Sequence, residues 1–162
     1  MNGHATPYIP ELATIVDTFD ETPDVKTFRV VLQDPAKMAA FRFEPGQVAQ
    51  LSVFGTGEST FVICSPPTRL EYLQFSVMRV GELTHRLHTL RADDPVGLRG
   101  PLGNHFPYLD MKGRDVVFVG GGLPRVACAG AGVLGWGGRC AWVGGVGWRV
   151  VGGGVVGGGS GG

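Results

Sequence analysis

The sequence predicts an all-β protein: an antiparallel Greek-key β-barrel with one short helix over residues 8–113, the opening strand of an unfinished α/β unit at 114–123, and a glycine-rich tail at 124–162. Three observations carry this. Short apolar runs alternate with polar residues between Gly and Pro turns, the mark of half-buried strands. Only Leu83, Leu87 and Leu90 have a helical spacing. Composition also changes abruptly, with 9 of the 28 glycines in residues 1–119 and 19 in residues 120–162.

Residues 26–32 alternate, with Phe28, Val30 and Leu32 on one side and Thr27, Arg29 and Val31 on the other, and Asp34-Pro35 ends the run. Pro45-Gly46 turns the chain into a strand at 48–54, which Gly55-Thr56-Gly57 closes as a hairpin against 61–65. Residues 70–80 form a longer strand with Leu73, Phe75 and Val77 on the core face, stopped by Gly81. The helix follows over 83–90, with Thr84 suited to its N-terminal turn, and the Asp93-Asp94-Pro95 segment is a solvated turn. Residues 96–99 are a short strand leading into the compact loop Gly100-Pro101-Leu102-Gly103-Asn104. Val116-Val117-Phe118-Val119 is continuously apolar and runs into Gly120-Gly121-Gly122, the pattern of a parallel strand buried on both faces before a glycine turn.

Residues 1–123 hold all 14 acidic and 11 of the 14 basic residues, a net charge of −3 without any Lys/Arg cluster, so a nucleic-acid partner is not expected. No apolar run reaches the ~18 residues of a membrane span, and the N-terminus has no signal-peptide pattern, so a cytoplasmic setting is expected. Cys64, Cys128 and Cys140 are an odd number without C-x-x-C spacing, which predicts unpaired thiols rather than a disulfide, zinc or iron–sulfur site. His85, His88 and His105 lack carboxylate partners at ligand spacing, so no metal site is expected.

Residues 124–162 contain no acid, lysine, amide, threonine or isoleucine, and 16 of the 39 are glycine. Such a segment loses much backbone entropy on ordering and has few side chains to offset it, so a disordered tail is expected. Trp136, Trp142 and Trp148 recur every six residues, which a Gly/Trp binding repeat would produce. The preferred reading is a frameshifted or truncated gene, because Gly, Val, Ala, Arg, Trp and Cys share guanine-rich codons.

Three stretches carry a family resemblance: Ser59-Thr60-Phe61-Val62-Ile63-Cys64-Ser65, Val77-Met78-Arg79-Val80-Gly81-Glu82-Leu83-Thr84, and Gly100-Pro101-Leu102-Gly103-Asn104-His105-Phe106. In this order they resemble the FAD-binding domain of the ferredoxin–NADP reductase superfamily. The likeness is nearest to electron-transfer subunits of the dihydroorotate dehydrogenase, sulfhydrogenase-gamma and anaerobic sulfite reductase type, and it extends from about Tyr8 to Leu123. The segment 116–123 is similar to the opening strand and glycine turn of that family's NAD(P)-binding domain.

The resemblance implies FAD, or less often FMN, as cofactor. Ser59, Thr60, Phe61 and Val62 would line the isoalloxazine ring, with Phe61 in the aromatic position beside it. Ser59 stands where the family has a basic residue and Val62 where it has a hydroxyl, so backbone groups would supply those contacts. Val77, Met78, Arg79, Gly81, Leu83 and Thr84 would form the strand-to-helix turn that receives the diphosphate. There the helix N–H groups and dipole favour an anion, Gly81 permits close approach, and Arg79 and Thr84 add hydrogen bonds. In the intact family NAD(P)H delivers a hydride to the flavin, and electrons leave singly to an iron–sulfur protein or partner oxidoreductase subunit. No catalytic acid or base is expected among these residues. The nicotinamide site and the family's cysteine-rich iron–sulfur motif are not expected in this chain, so NAD(P)H-dependent turnover is expected to be absent. The rival reading is a flavin-free barrel that docks a partner subunit.

Overall fold

The computed structural model describes residues 8–111, 114–119, 140–143 and 148–151. Strand β1 (Glu11–Thr22) pairs with β2 (Val25–Leu32) as an antiparallel hairpin closed at Pro23-Asp24, where the Thr22 hydroxyl donates to Asp24 Oδ1 at 2.6 Å. The register slips between Ile15 and Asp17 and between Asp20 and Thr22, and such bulges increase the twist that lets a sheet curl. In β2 the alternation works as the periodicity requires, with Phe28, Val30 and Leu32 buried. Thr27 is buried as well, its hydroxyl 2.6 Å from Ser76 Oγ on the neighbouring strand.

Asp34-Pro35 does more than end β2. Pro35–Ala40 is a helix, α1, and the Asp34 carboxylate caps it by accepting from Ala36 N–H at 2.9 Å and Lys37 N–H at 3.3 Å. Proline fits the first helical turn, where its missing N–H would have had no partner. The expectation of a single helix is therefore corrected, because a cap-plus-proline start was read as a strand stop. A four-residue helix α3 (Tyr108–Met111) also follows the predicted one, α2 (Glu82–Thr89). On α2, Leu87 is buried while Leu83 and Leu90 pack against the core from the same face, as their spacing predicts.

The remaining barrel strands are β3 (Val48–Val53), β4 (Gly57–Val62), β5 (Leu73–Met78) and β6 (Pro95–Leu102). Their order is β4-β3-β6-β1-β2-β5, with every neighbouring pair antiparallel. Strand β4 begins and ends earlier than expected. Past Val62 the chain leaves β3 and crosses toward β5, where Cys64 N–H donates to the Gln74 carbonyl at 2.8 Å and Gln74 N–H donates to Ser65 Oγ at 3.2 Å. These bonds link the segment after one edge strand to the other edge strand. Ile15, Phe28, Leu51, Ile63, Phe75 and Leu98 fill the interior of the curled sheet, each less than 2% exposed.

Strand β7 (Val116–Val119) lies where the apolar run places it and pairs in parallel with β8 (Cys140–Val143), which is antiparallel to β9 (Trp148–Val151). Strands β8 and β9 lie within the segment expected to be a disordered tail. Valine and tryptophan favour pleated backbone, and glycine content alone underweights them. The glycine turn at 120–122 and residues 123–139, 144–147 and 152–162 lie outside the described residues, so the expectations for Cys128, Trp136 and the rest of the tail go with them. Among the described residues no helix is long and apolar enough to cross a membrane.

Candidate functional site

Among the described residues, strand β4 is paired on one side only. Ile63 N–H donates to the Gln47 carbonyl at 3.0 Å, and with Ala49 opposite Phe61 and Leu51 opposite Ser59 this register puts the odd-numbered residues in the hydrogen-bonded pairs. By alternation, the N–H and C=O groups of Glu58, Thr60 and Val62 point away from the sheet. Such an edge is a row of donors and acceptors able to match the polar rim of a flat heteroaromatic ring, and left bare it would invite pairing with another strand. Ser59, Thr60, Phe61 and Val62 are thereby brought together on one edge, Thr60 exposed and the other three half-buried. Phe61 also packs on the hydrophobic core, which the sequence did not disclose.

The strand-to-helix turn lies beside the other end of β4. A Cβ added to Gly57, where β4 begins, would lie 3.9 Å from Leu83 Cδ1 in the first turn of α2. Gly57, with φ +138°, thus adjoins this turn, although sequence reasoning had read it only as part of the hairpin turn. Val77 and Met78 end β5 and anchor the turn, the former buried in the core. Gly81 has an extended backbone, and nothing lies within 4 Å of the position its Cβ would take, so the approach is open.

The Thr84 hydroxyl is engaged inside its own turn. It accepts from Val80 N–H at 2.9 Å and Gly81 N–H at 2.8 Å and donates to the Gly81 carbonyl at 2.8 Å. A hydroxyl has one proton and two lone pairs, so its capacity is used within its own turn. Thr84 therefore shapes the turn. The N–H groups of Glu82, Leu83 and Thr84 begin the helix and have no acceptor within it. His85 N–H makes the first helical bond, to the Gly81 carbonyl at 2.8 Å.

Arg79 is exposed, and its main chain is tied to the β1–β2 hairpin by an N–H bond to the Asp24 carbonyl at 2.8 Å. Its guanidinium reaches the Pro23 carbonyl only at 3.5 Å, in an open cleft of about 380 Å³ that Lys26 and His88 also line. It makes no ion pair among the described residues. This long side chain is therefore held loosely beside the turn, rather than aimed into it.

The Gly100–Phe106 loop is packed rather than open. A Cβ on Gly100 would lie 2.9 Å from Ala49 Cβ, and one on Gly46, at φ +95°, 2.9 Å from Phe106 Cδ2. Phe106 N–H donates to the Pro45 carbonyl at 2.8 Å, and Gln47 Nε2 to the Gly103 carbonyl at 3.1 Å. The histidines bond in three separate places: His85 Nδ1 lies 2.8 Å from the Gly81 carbonyl, His88 Nε2 2.9 Å from the Val77 carbonyl, and His105 Nε2 2.8 Å from Glu44 Oε2. No cluster of three metal-ligating side chains occurs among the described residues. Cys64 is buried, and burial pushes its thiol from the ordinary 9.0 up to about 11 against the opposing pull of hydrogen bonds with Ser76. It is protonated and unreactive at neutral pH.

The chain is similar to several known proteins. Over 123 residues the chain is 32% identical to sulfhydrogenase 1 subunit gamma of Pyrococcus furiosus, a match covering 76% of this chain and 42% of that one. Over 114 residues it is 39% identical to the "Probable dihydroorotate dehydrogenase B (NAD(+)), electron transfer subunit" of Methanocaldococcus jannaschii, covering 70% and 38%. The matched region thus spans about two-fifths of the length of these relatives. Among solved structures, the Amycolatopsis cytochrome P450 reductase GcoB superposes with a TM-score of 0.64 at 28% identity, over 76% of this chain and 39% of that one. A ferredoxin NADP+ reductase from Neisseria gonorrhoeae, solved with bound FAD and NADP, superposes with a TM-score of 0.66 at 17% identity, over 76% and 50%, which shows the shared fold. No protein-family model matches the chain.

Proposed function

We propose that the barrel of this chain, a domain of the ferredoxin–NADP reductase type, holds FAD and serves as the flavin-binding part of an oxidoreductase electron-transfer subunit. The observation that carries this is the unpaired β4 edge adjoining the N-terminal turn of α2. The outward N–H and C=O groups of Thr60 and Val62 bond the polar rim of the ring, in place of the hydroxyl and cation that Val62 and Ser59 lack. Phe61 and Ser59 flank the ring and keep water from it. The N–H groups of Glu82, Leu83 and Thr84 receive the diphosphate, Gly81 leaves it room, and Arg79 swings from its weak contact with Pro23 to add a charge. Val77, Met78 and the Thr84 hydroxyl hold that turn in place.

When bound, the flavin supplies the exchange between two-electron and one-electron transfer. The side chains of the site contribute binding and electrostatics rather than proton transfer. Electrons would pass between a nicotinamide donor and a partner subunit or iron–sulfur protein, in a cytoplasmic setting. Titration of the apoprotein with FAD, followed by visible absorption and flavin fluorescence, tests the reading. A shifted, structured flavin band at stoichiometric FAD is expected. An unchanged spectrum would favour the second reading, a flavin-free docking barrel, for which Ser59 and Val62 speak.

A further inference from the structure

We infer that Phe54 is the platform on which the adenine of FAD stacks, so that the tip of the β3–β4 hairpin makes this chain selective for FAD over FMN. The inference rests on the flavin site proposed above. Along β4 the ring lies against residues 60–62, and the diphosphate turn touches Gly57 through Leu83. From Val62 to Gly57 the strand rises about 17 Å. A ligand with its ring at the far end of this track and its diphosphate beside α2 carries its remaining end past Gly57 to the hairpin tip.

At that tip stands Phe54-Gly55-Thr56, held by Thr56 N–H donating to the Val53 carbonyl at 3.0 Å. Phe54 is 57% exposed, whereas the other phenylalanines with described side chains are buried or half-buried. Gly55 carries no side chain and nothing lies within 4 Å of where one would start, and Gly57 meets only Leu83. The hairpin therefore presents an exposed aromatic side chain beside an open glycine at the place where a base would arrive. A purine stacks on such a face without needing specific hydrogen bonds.

The test is equilibrium titration of wild type, Phe54→Ala and Phe54→Tyr with FAD, FMN and riboflavin, read by flavin fluorescence, with thermal melts to establish that the exposed substitutions leave the fold intact. Phe54→Ala should weaken FAD about five- to a hundredfold and leave FMN and riboflavin within about twofold, while Phe54→Tyr keeps FAD near wild type. Unchanged FAD affinity in Phe54→Ala, or an equal fall for all three ligands, overturns the inference while leaving the flavin site standing. Wild type that binds FAD and FMN equally does the same. If wild type binds no flavin, the site and the inference fall together.

Discussion

Glycines stand in two kinds of setting around the barrel, and they differ in what surrounds them. At Gly46 and Gly100 a methyl group would collide with Phe106 and Ala49, each at 2.9 Å, so glycine is there because other parts of the protein press against the backbone. At Gly81 a methyl group would meet nothing within 4 Å, and the backbone is extended. Glycine at Gly81 answers no demand of the protein's own packing. The first setting is closed by the fold, while the second is open toward whatever approaches α2. Both were read from the same kind of glycine-containing motif, and only the first is shown to be structural.

The largest effect should come from closing the packed turn further. Gly46→Ala adds a methyl against the Phe106 ring and forces alanine into φ +95°, and should lower stability by about 2–4 kcal/mol in denaturant unfolding. A loss under 1 kcal/mol would mean that the loop gives way easily and the contrast is weaker than drawn. In the interior, buried Cys64 makes stability depend on pH. Its folded value of about 11 lies above the ordinary 9.0, so the unfolded chain releases its proton first. The contribution is complete below pH 9 and is lost as pH rises from 9 to 11, by about 3 kcal/mol at most. Cys64→Ala should flatten that part of the stability profile, and an unchanged slope would place the alkaline loss elsewhere.

The open turn should respond through ligand rather than through stability. Arg79→Ala should weaken FAD by ~1.5–3 kcal/mol, roughly ten- to a hundredfold, with riboflavin unaffected and the melting temperature unchanged. Equal losses for both flavins would move the phosphate contact away from this side chain. Thr84→Val leaves the Val80 and Gly81 N–H groups without their acceptor and should cost about 1–2 kcal/mol of stability, with Thr84→Ser retaining it. The smallest stability change belongs to Gly81→Ala, within about 0.5 kcal/mol, because neither space nor φ resists it. Its effect should appear instead as weaker FAD binding at constant riboflavin affinity.

Much of the barrel was legible in the chain itself. The period-two pattern identified the inner faces of β2 and β5, the spacing of Leu83, Leu87 and Leu90 identified α2, and the apolar run 116–119 identified β7, because these depend on neighbours a few residues apart. Helix α1 was also written locally, in Asp34-Pro35, but a cap and a strand stop share those residues. The candidate site was legible as two separate stretches, 59–62 and 77–84. Tertiary structure decided that β4 is an edge, that Leu83 meets Gly57, that the Thr84 hydroxyl is spent inside its turn, and that Gly46 and Gly100 are packed while Gly81 is open. The Thr84 bonds turn on the exact geometry of one short turn, and the rest turn on which distant strand, helix or ring lies alongside; neither leaves a period in the sequence from which it could be read.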